Sequence, residues 1–336
     1  MLHTEIKSNP VATIFQLSSG LWVSRALWAA ARLRLADALG DEPMTVDTLA
    51  RVSGTRPDML GRLLNALTSF GIFTREPDGL ISHTDMSRHL RADHPESQRA
   101  FVEAAFGHEH YEAWGAIEHS LRTGETAFDS QYGMPIFAWF GEQPASAKLF
   151  SEAMTSTTRM TEKELLAACD FGAFSLAVDI GGSQGSLLRG LLAHNPHARG
   201  ILFDLPEIAD MVRPSLKGSR ITATSGNFFE SVPAGGDLYL LKFILHDWTD
   251  AQCAVILRNI RAAVAPGGRL AIAEMVLPEA GEPSPNYLMD LNMMVMTGGR
   301  ERTAREYEEL LRKAGFRMQG VTHTDAPLSL IKAVAA

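Results

Sequence analysis

The chain has 336 residues, 46% hydrophobic and 21% charged, with a formal net charge of −8. That length holds two domains, or one large domain with an appendage, in the composition range of soluble globular proteins. The acidic balance argues against a polyanionic partner, so no nucleic-acid partner is expected.

Two isolated cysteines, Cys169 and Cys253, form no metal or redox pattern and suit a reducing cytoplasm. The opening MLHTEIKSNPVATIF lacks the basic, apolar, small-residue layout of a secretory signal. The most apolar early stretch, LWVSRALWAAARLRLADAL, is interrupted by Arg25, Arg32 and Arg34, so no membrane span is expected. The expected compartment is the cytoplasm.

Up to about residue 170 the pattern is helical. SRALWAAARLRLADAL carries apolar residues at helical spacing on two faces, which predicts a helix buried on more than one side. In the next stretch Thr45 or Asp47 caps a short helix, Gly54 makes a turn and Pro57 opens a second helix. GIFTREPDGLISHT then reads as a hairpin turning at Asp78–Gly79. Helix, turn, helix and hairpin together make a winged-helix pattern. That pattern raises DNA binding, yet RPDMLGRLLNALTSF offers few cations where a reading helix needs several. The stretches HEHYEAWGAIEHSL, GMPIFAWF and KLFSEAMTSTTRMTEKELLAA continue the helices with aromatics, Met and His. No spacing makes a metal site of His108, His110 and His119, and packing or pocket lining is the reading for them.

From about residue 175 strands and helices alternate: SLAVDIG, RGILFDL, SRITATSG, GDLYLLKFIL and GGRLAIAEMVL as strands, with helices between, and two closing strands in RMQGVTHT and LSLIKAVA. Such alternation builds a mostly parallel sheet with helices on both faces, and ligands bind at the carboxyl ends of its strands. Asp179, Asp204, His246 and Glu274 fall at such ends. VDIGGSQGSLL follows the first strand, where Gly181, Gly182 and Gly185 allow close backbone approach to a ligand at a helix start. Ser183 breaks the dinucleotide-binding fingerprint. Asp204 can accept hydrogen bonds from both hydroxyls of a ribose, which suits an adenosine ligand. DLYLLKFILHDWTD holds Lys242 inside an apolar run and ends in His246 and Asp247. Asp247 or Thr249 could instead simply cap the following helix.

The stretches VDIGGSQG, FDLPEI, SGNFFESVP, LKFILHDWTD and GGRERTAREYEELLRKAGF, in that order, resemble the caffeic-acid-type, plant-like class I S-adenosylmethionine-dependent O-methyltransferases, which bacteria use in natural-product pathways. The resemblance spans nearly the whole chain. It implies an α/β fold: a Rossmann-like class I methyltransferase domain with a seven-stranded, mostly parallel sheet over residues 171–336, preceded by an α-helical, winged-helix-like dimerisation domain over 1–100 and linking helices over 101–170.

It also implies site residues. Gly181 and Gly182 would lie against S-adenosyl-L-methionine, Asp204 would hold its ribose, Asn227 and Phe228 would flank its adenine, and Lys242 and Thr158 would contact it. His246 would be the general base, with Glu274 and Glu301 flanking it and Asp247 beside it. Phe150, Met154, Met289, Asn292, Met293 and Met296 would line the acceptor pocket. Two positions depart from the family: Asn227 stands where Asp is usual, and Ser183 where a third glycine is usual. Asn227 keeps a carbonyl acceptor but loses charge-assisted strength.

The residue types suit methyl transfer. The donor is already activated, so the protein mainly aligns a nucleophile. A phenol, with a pKa of about 10, needs a base near pH 7, and an imidazole with an ordinary pKa of about 6.5 is available in neutral form. A carboxylate on its other nitrogen fixes the tautomer. The expected product is S-adenosyl-L-homocysteine, no metal ion is required, the acceptor is a small hydroxylated aromatic, and the chain pairs as a homodimer through its amino-terminal domain. Two other readings stay open: the same fold using S-adenosylmethionine for hydroxylation or decarboxylation, and a winged-helix regulator that senses the cofactor.

Overall fold

The computed structural model describes residues 9–168, 173–279 and 281–336; Cys169 lies outside them. Its chain forms two compact units. One comprises the residues up to Tyr111 together with Gln143–Thr157, the other Glu112–Glu142 with Thr158–Ala336. The stretch 101–170 expected as a linker is therefore divided between them. The long helix Pro144–Ala168 passes from one unit to the other along its length.

In the first unit, Thr45 caps helix Val46–Ser53 by accepting the Thr48 N–H at 3.2 Å, and Gly54 ends it in the left-handed conformation. Pro57 opens helix Pro57–Ser69. Strands β1 (Phe73–Arg75) and β2 (Ile81–His83) pair antiparallel across the turn at Gly79, whose φ is +87°. Leu35, Leu49, Leu64, Phe73 and Ile81 close the core between these elements. This is the winged-helix arrangement that the spacing predicts. Among the described residues no helix is long and apolar enough to cross a membrane.

The second unit is built on seven strands: β3 (Leu176–Ile180), β4 (Arg199–Asp204), β5 (Ile221–Ser225), β6 (Leu238–Lys242), β7 (Arg269–Glu274), β10 (Phe316–His323) and β11 (Ser329–Ala335). Their order is β10-β11-β7-β6-β3-β4-β5, parallel from β5 through to β7 and antiparallel at β11 and β10. Both faces are covered, which is why the strands read as nearly unbroken apolar runs. Val178, Ile180, Tyr239 and Leu241 face helices Asp250–Ala263 and Ala304–Lys313. Ala177, Leu238 and Leu240 face helix Ser186–Ala193 and Leu165. Strand order reverses between β3 and β6, so a crevice opens at their carboxyl ends.

Two strands stop short of the expected runs. The apolar run after β6 does not continue to Leu245: Phe243 takes φ +54° and the chain enters a 3₁₀ turn at Leu245–Asp247. GGRLAIAEMVL divides at Met275, and β8 (Val276–Leu277) leaves the sheet to pair in parallel with β9 (Arg302–Thr303). Apolarity carries a residue into the core but does not say where main-chain direction changes.

Candidate active site

The turn after β6 carries His246, which is only 6% exposed. Its Nδ1 lies 2.7 Å from Glu301 Oε1, brought there by the chain entering β9. Phe243 stacks on the imidazole at 5.1 Å between ring centres, with 25° between planes. With one nitrogen and one ring face so engaged, Nε2 is the nitrogen left for a ligand; Asp247 Oδ1 is 3.8 Å from it. The positive φ of Phe243 is uncommon for a bulky residue and costs on the order of 1 kcal/mol. Here it places that ring under the histidine.

Glu274, at the end of β7 and expected with Glu301 to flank His246, lies against that residue's main chain rather than its ring. Its Oε1 accepts the main-chain N–H groups of Ile244, Leu245 and His246 at 3.2, 2.6 and 3.3 Å, and its other oxygen accepts the Tyr307 hydroxyl. The Glu274 carboxylate shapes the turn, and Glu301 hydrogen-bonds the ring. Burial by itself would lower the His246 pKa, but the charges of Asp247, Glu301 and Glu274 and the Glu301 hydrogen bond reverse this and lift it to about 9. The expectation of an ordinary imidazole, neutral near pH 7, is therefore corrected: three carboxylates around a buried ring favour its cation. Asp247, with its charge penalised by burial, is pushed up to about 7.

On the other side of the crevice, the loop after β3 turns on backbone freedom. Gly181, Ser183 and Gly185 have φ of +68°, +50° and +72°. A methyl group on Gly181 would run into Ile244, and one on Gly182 would sit 2.7 Å from Asp179 Oδ2. Asp204, at the end of β4, accepts the N–H of Ser183 and of Leu205 with separate oxygens, each at 2.8 Å. Each oxygen keeps a lone pair for a further donor, as binding a diol requires. Beneath the loop, buried Asp179 is lifted by desolvation to about 7, while Lys242 is lowered by desolvation to about 8 with Asp179 opposing. Asn227 Oδ1 accepts the Phe229 N–H at 2.9 Å, and Asn259 holds the Phe228 carbonyl at 2.9 Å. Trp248 stacks with Phe137 at 5.4 Å and meets Phe229 edge-on at 4.8 Å. An apolar wall thus joins the Phe228 loop to the His246 turn.

Residues 114–317 match the model of the O-methyltransferase domain, and residues 15–93 that of the O-methyltransferase dimerisation domain. The chain belongs to the O-methyltransferase family. It is 37% identical to the phenazine O-methyltransferase PhzM of Lysobacter antibioticus, with 96% of each chain covered. It is 39% identical to the O-demethylpuromycin-O-methyltransferase of Streptomyces alboniger, over 95% of this chain and 88% of that one. Among solved structures, the crystal structure of LaPhzM superposes with a TM-score of 0.94 at 36% identity, covering 98% of this chain and all 100% of the other. These relatives make the protein an S-adenosylmethionine-dependent O-methyltransferase.

The remaining expected site residues of this methyltransferase lie on two helices. Thr158 is buried in the portion of helix Pro144–Ala168 that belongs to the second unit. Phe150 and Met154, both half-buried, lie on the portion that belongs to the first. Met289, Asn292, Met293 and Met296 share one face of helix Asn286–Met296. Met296 packs with Phe128 and Ile136 and is core as much as wall. The Trp114 indole N–H donates to Asn292 Oδ1 at 2.9 Å, which fixes the amide and turns its nitrogen toward the Met289 sulfur at 3.9 Å. One residue of that helix was not singled out from sequence: Asp290, whose Oδ1 accepts the Glu301 N–H at 2.9 Å. Asp290, Tyr307 and Arg302 carried no sequence signal, since the Glu301, Glu274 and Leu245 groups they bind lie eleven or more residues away. Phe243, three residues before His246, reads as one more apolar strand residue, and only its positive φ turns its ring onto the imidazole.

Proposed function

We propose that this methyltransferase methylates a hydroxyl of a small hydroxylated aromatic metabolite, with His246 as general base. The observation that carries the reading is the 2.7 Å contact between His246 Nδ1 and Glu301 at the carboxyl end of β6, beside the reversal in strand order. It supports a neutral form in which Nδ1 keeps its proton on Glu301 and Nε2 is free to receive one. A base lifted to about 9 lies close to a phenol's pKa of about 10, so the proton transfer runs nearly level. The surrounding carboxylates stabilise the imidazolium that results.

Gly181, Gly182, Asp204, Asn227, Phe228, Lys242 and Thr158 hold S-adenosyl-L-methionine in this reading. When bound, it supplies a methyl group on a sulfonium already activated for in-line displacement, and leaves as S-adenosyl-L-homocysteine. The diol-binding geometry of Asp204 and the close backbone at Gly181 fit that ligand. The mechanism calls for no metal ion, because His246 does the work a cation would do in acidifying the hydroxyl.

In this reading Met289, Asn292, Met293 and Met296 line the acceptor side, and Phe150 and Met154 are the positions where the family resemblance expects further pocket residues. Polarisable thioethers suit a flat aromatic ring, and the phenazine O-methyltransferase and the 3-amino-4-hydroxybenzoate 4-O-methyltransferase among its relatives point to an aromatic acceptor. The reading extends to a homodimer. Val11, Ile14, Phe15, Leu17 and Trp22 are each 65% exposed or more along helices Pro10–Ser18 and Gly20–Arg32, within or beside the matched dimerisation domain. A second copy of the chain would cover them.

The test is a screen of hydroxylated aromatics with methyl-labelled S-adenosylmethionine. Label recovered as an aromatic ether supports the proposal. Label recovered only on nitrogen, or an oxidised or decarboxylated product without label, rejects it.

A further inference from the structure

The turn that carries His246 is gripped from both electrical sides. Its N–H groups, from Ile244 to His246, converge on the Glu274 carboxylate. Its carbonyls face the chain at 299–302. The Arg300 N–H donates to the His246 carbonyl at 2.8 Å. The Arg302 guanidinium donates to the Leu245 carbonyl at 2.9 Å through Nη1 and to the Trp248 carbonyl at 2.8 Å through Nη2. Those two carbonyls bracket His246 and Asp247.

Arg302 is 1% exposed, one of the most buried large side chains in the molecule. Its remaining donors reach the Asp250 carboxylate at 2.8 and 2.9 Å and the Arg300 carbonyl at 3.2 Å. Burying a cation costs several kcal/mol unless its donors are met, and here nearly all of them are met by the segment around the histidine. At the turns after β3 and β4 the Asp204 carboxylate instead accepts main-chain N–H groups, those of Ser183 and Leu205. Arg302 also follows directly on Glu301, so one short strand, β9, delivers both the carboxylate for the imidazole and the clamp for its backbone. Gly299 completes the fit, since a methyl group there would run into the His246 carbonyl.

We propose that Arg302 is a positioning residue for proton transfer: by fixing the carbonyls on either side of His246, it keeps the imidazole on Glu301 with Nε2 presented to the acceptor. This rests on His246 being the base. Lysine keeps the charge but has a single ammonium in place of the planar fork, and cannot span the two carbonyls and Asp250 together.

The experiment compares full-length R302K with the unaltered protein. A lapse in imidazole alignment should lower kcat roughly ten- to a hundredfold, while cofactor affinity by calorimetry and acceptor KM stay within about twofold. In the unliganded protein, the downfield proton signal of the His246 Nδ1–H, assigned by its loss in H246A, should broaden or vanish in R302K. Unchanged kcat in folded R302K overturns the proposal. So does a fall in kcat matched by an equal loss of cofactor affinity with the proton signal intact, which marks a purely structural residue. Should R302K fail to fold, D250A decides, because Asp250 is 63% exposed and its removal loosens the guanidinium without emptying the core; wild-type kcat and an intact signal in D250A overturn the proposal. Full activity in H246A would instead remove the underlying assignment, a separate result.

Discussion

At the ends of β3 and β4 the chain turns with backbone freedom: two glycines and Ser183 adopt positive φ, and the Asp204 carboxylate accepts two main-chain N–H groups. At the ends of β6 and β7 the turn is made against the grain, with a positive φ at Phe243, and is then held by Glu274, Glu301 and Arg302. The two ends lie side by side at the reversal in strand order, yet they solve different problems. A ligand held by backbone and diol contacts needs room and close approach. A base must stand in one orientation to within fractions of an ångström, and that takes buried charge. If His246 is the base, as proposed, the side of the crevice assigned proton chemistry is also the one whose main chain is restrained by buried ionic contacts.

The sharpest way to break that contrast is H246A. Turnover should fall roughly 10²- to 10⁴-fold while calorimetric cofactor affinity is preserved; a parallel loss of both would merge the two halves into one. Next comes E301Q. Losing the orienting carboxylate should lower kcat roughly tenfold or more, and it should also move the pH profile. The base acts when neutral, so kcat/KM should rise with pH through the pKa of about 9 set by the surrounding carboxylates. Removing one of those charges lowers that pKa, and the rising limb should move to lower pH. A limb that stays in place would show that Glu301 does not tune the ring.

On the other side, G181A should weaken cofactor binding about tenfold, or ~1.4 kcal/mol, because alanine there meets Ile244 and must hold φ +68°. Its kcat at saturating cofactor should change little, and a large kcat loss would show that the loop also positions the base. The smallest expected effect is in N227D. Restoring a carboxylate should tighten cofactor binding by about threefold at most, since Glu230 lies 3.4 Å from the Asn227 amide and would repel the new charge.

Much of this was legible in the sequence, for identifiable reasons. Strands buried on both faces announce themselves as apolar runs, and turn residues such as Gly54, Pro57 and Asp78–Gly79 name their own geometry. His246, Asp204 and the glycine loop could be placed because they sit where such strands end. What the sequence hid was the division of labour between the two glutamates. Glu274 and Glu301 are both carboxylates at ordered positions, and nothing in their neighbours says that one takes main-chain amides and the other an imidazole. Arg302 was hidden likewise: its partners at 245, 248 and 250 lie more than fifty residues away, and contact across that separation leaves no periodicity. The raised His246 pKa followed from the same blindness, because it is a sum over charges that only the fold brings together.

The short pairing of β8 with β9 closes the chain into a loop whose base is Val276–Leu277 against Arg302–Thr303, and helix Asn286–Met296 is carried inside that loop. That geometry makes the segment a replaceable insert for engineering. Exchanging 285–298 between homologues should transplant acceptor preference while leaving the base in register, provided the donor segment keeps a carboxylate at Asp290 to receive the Glu301 amide.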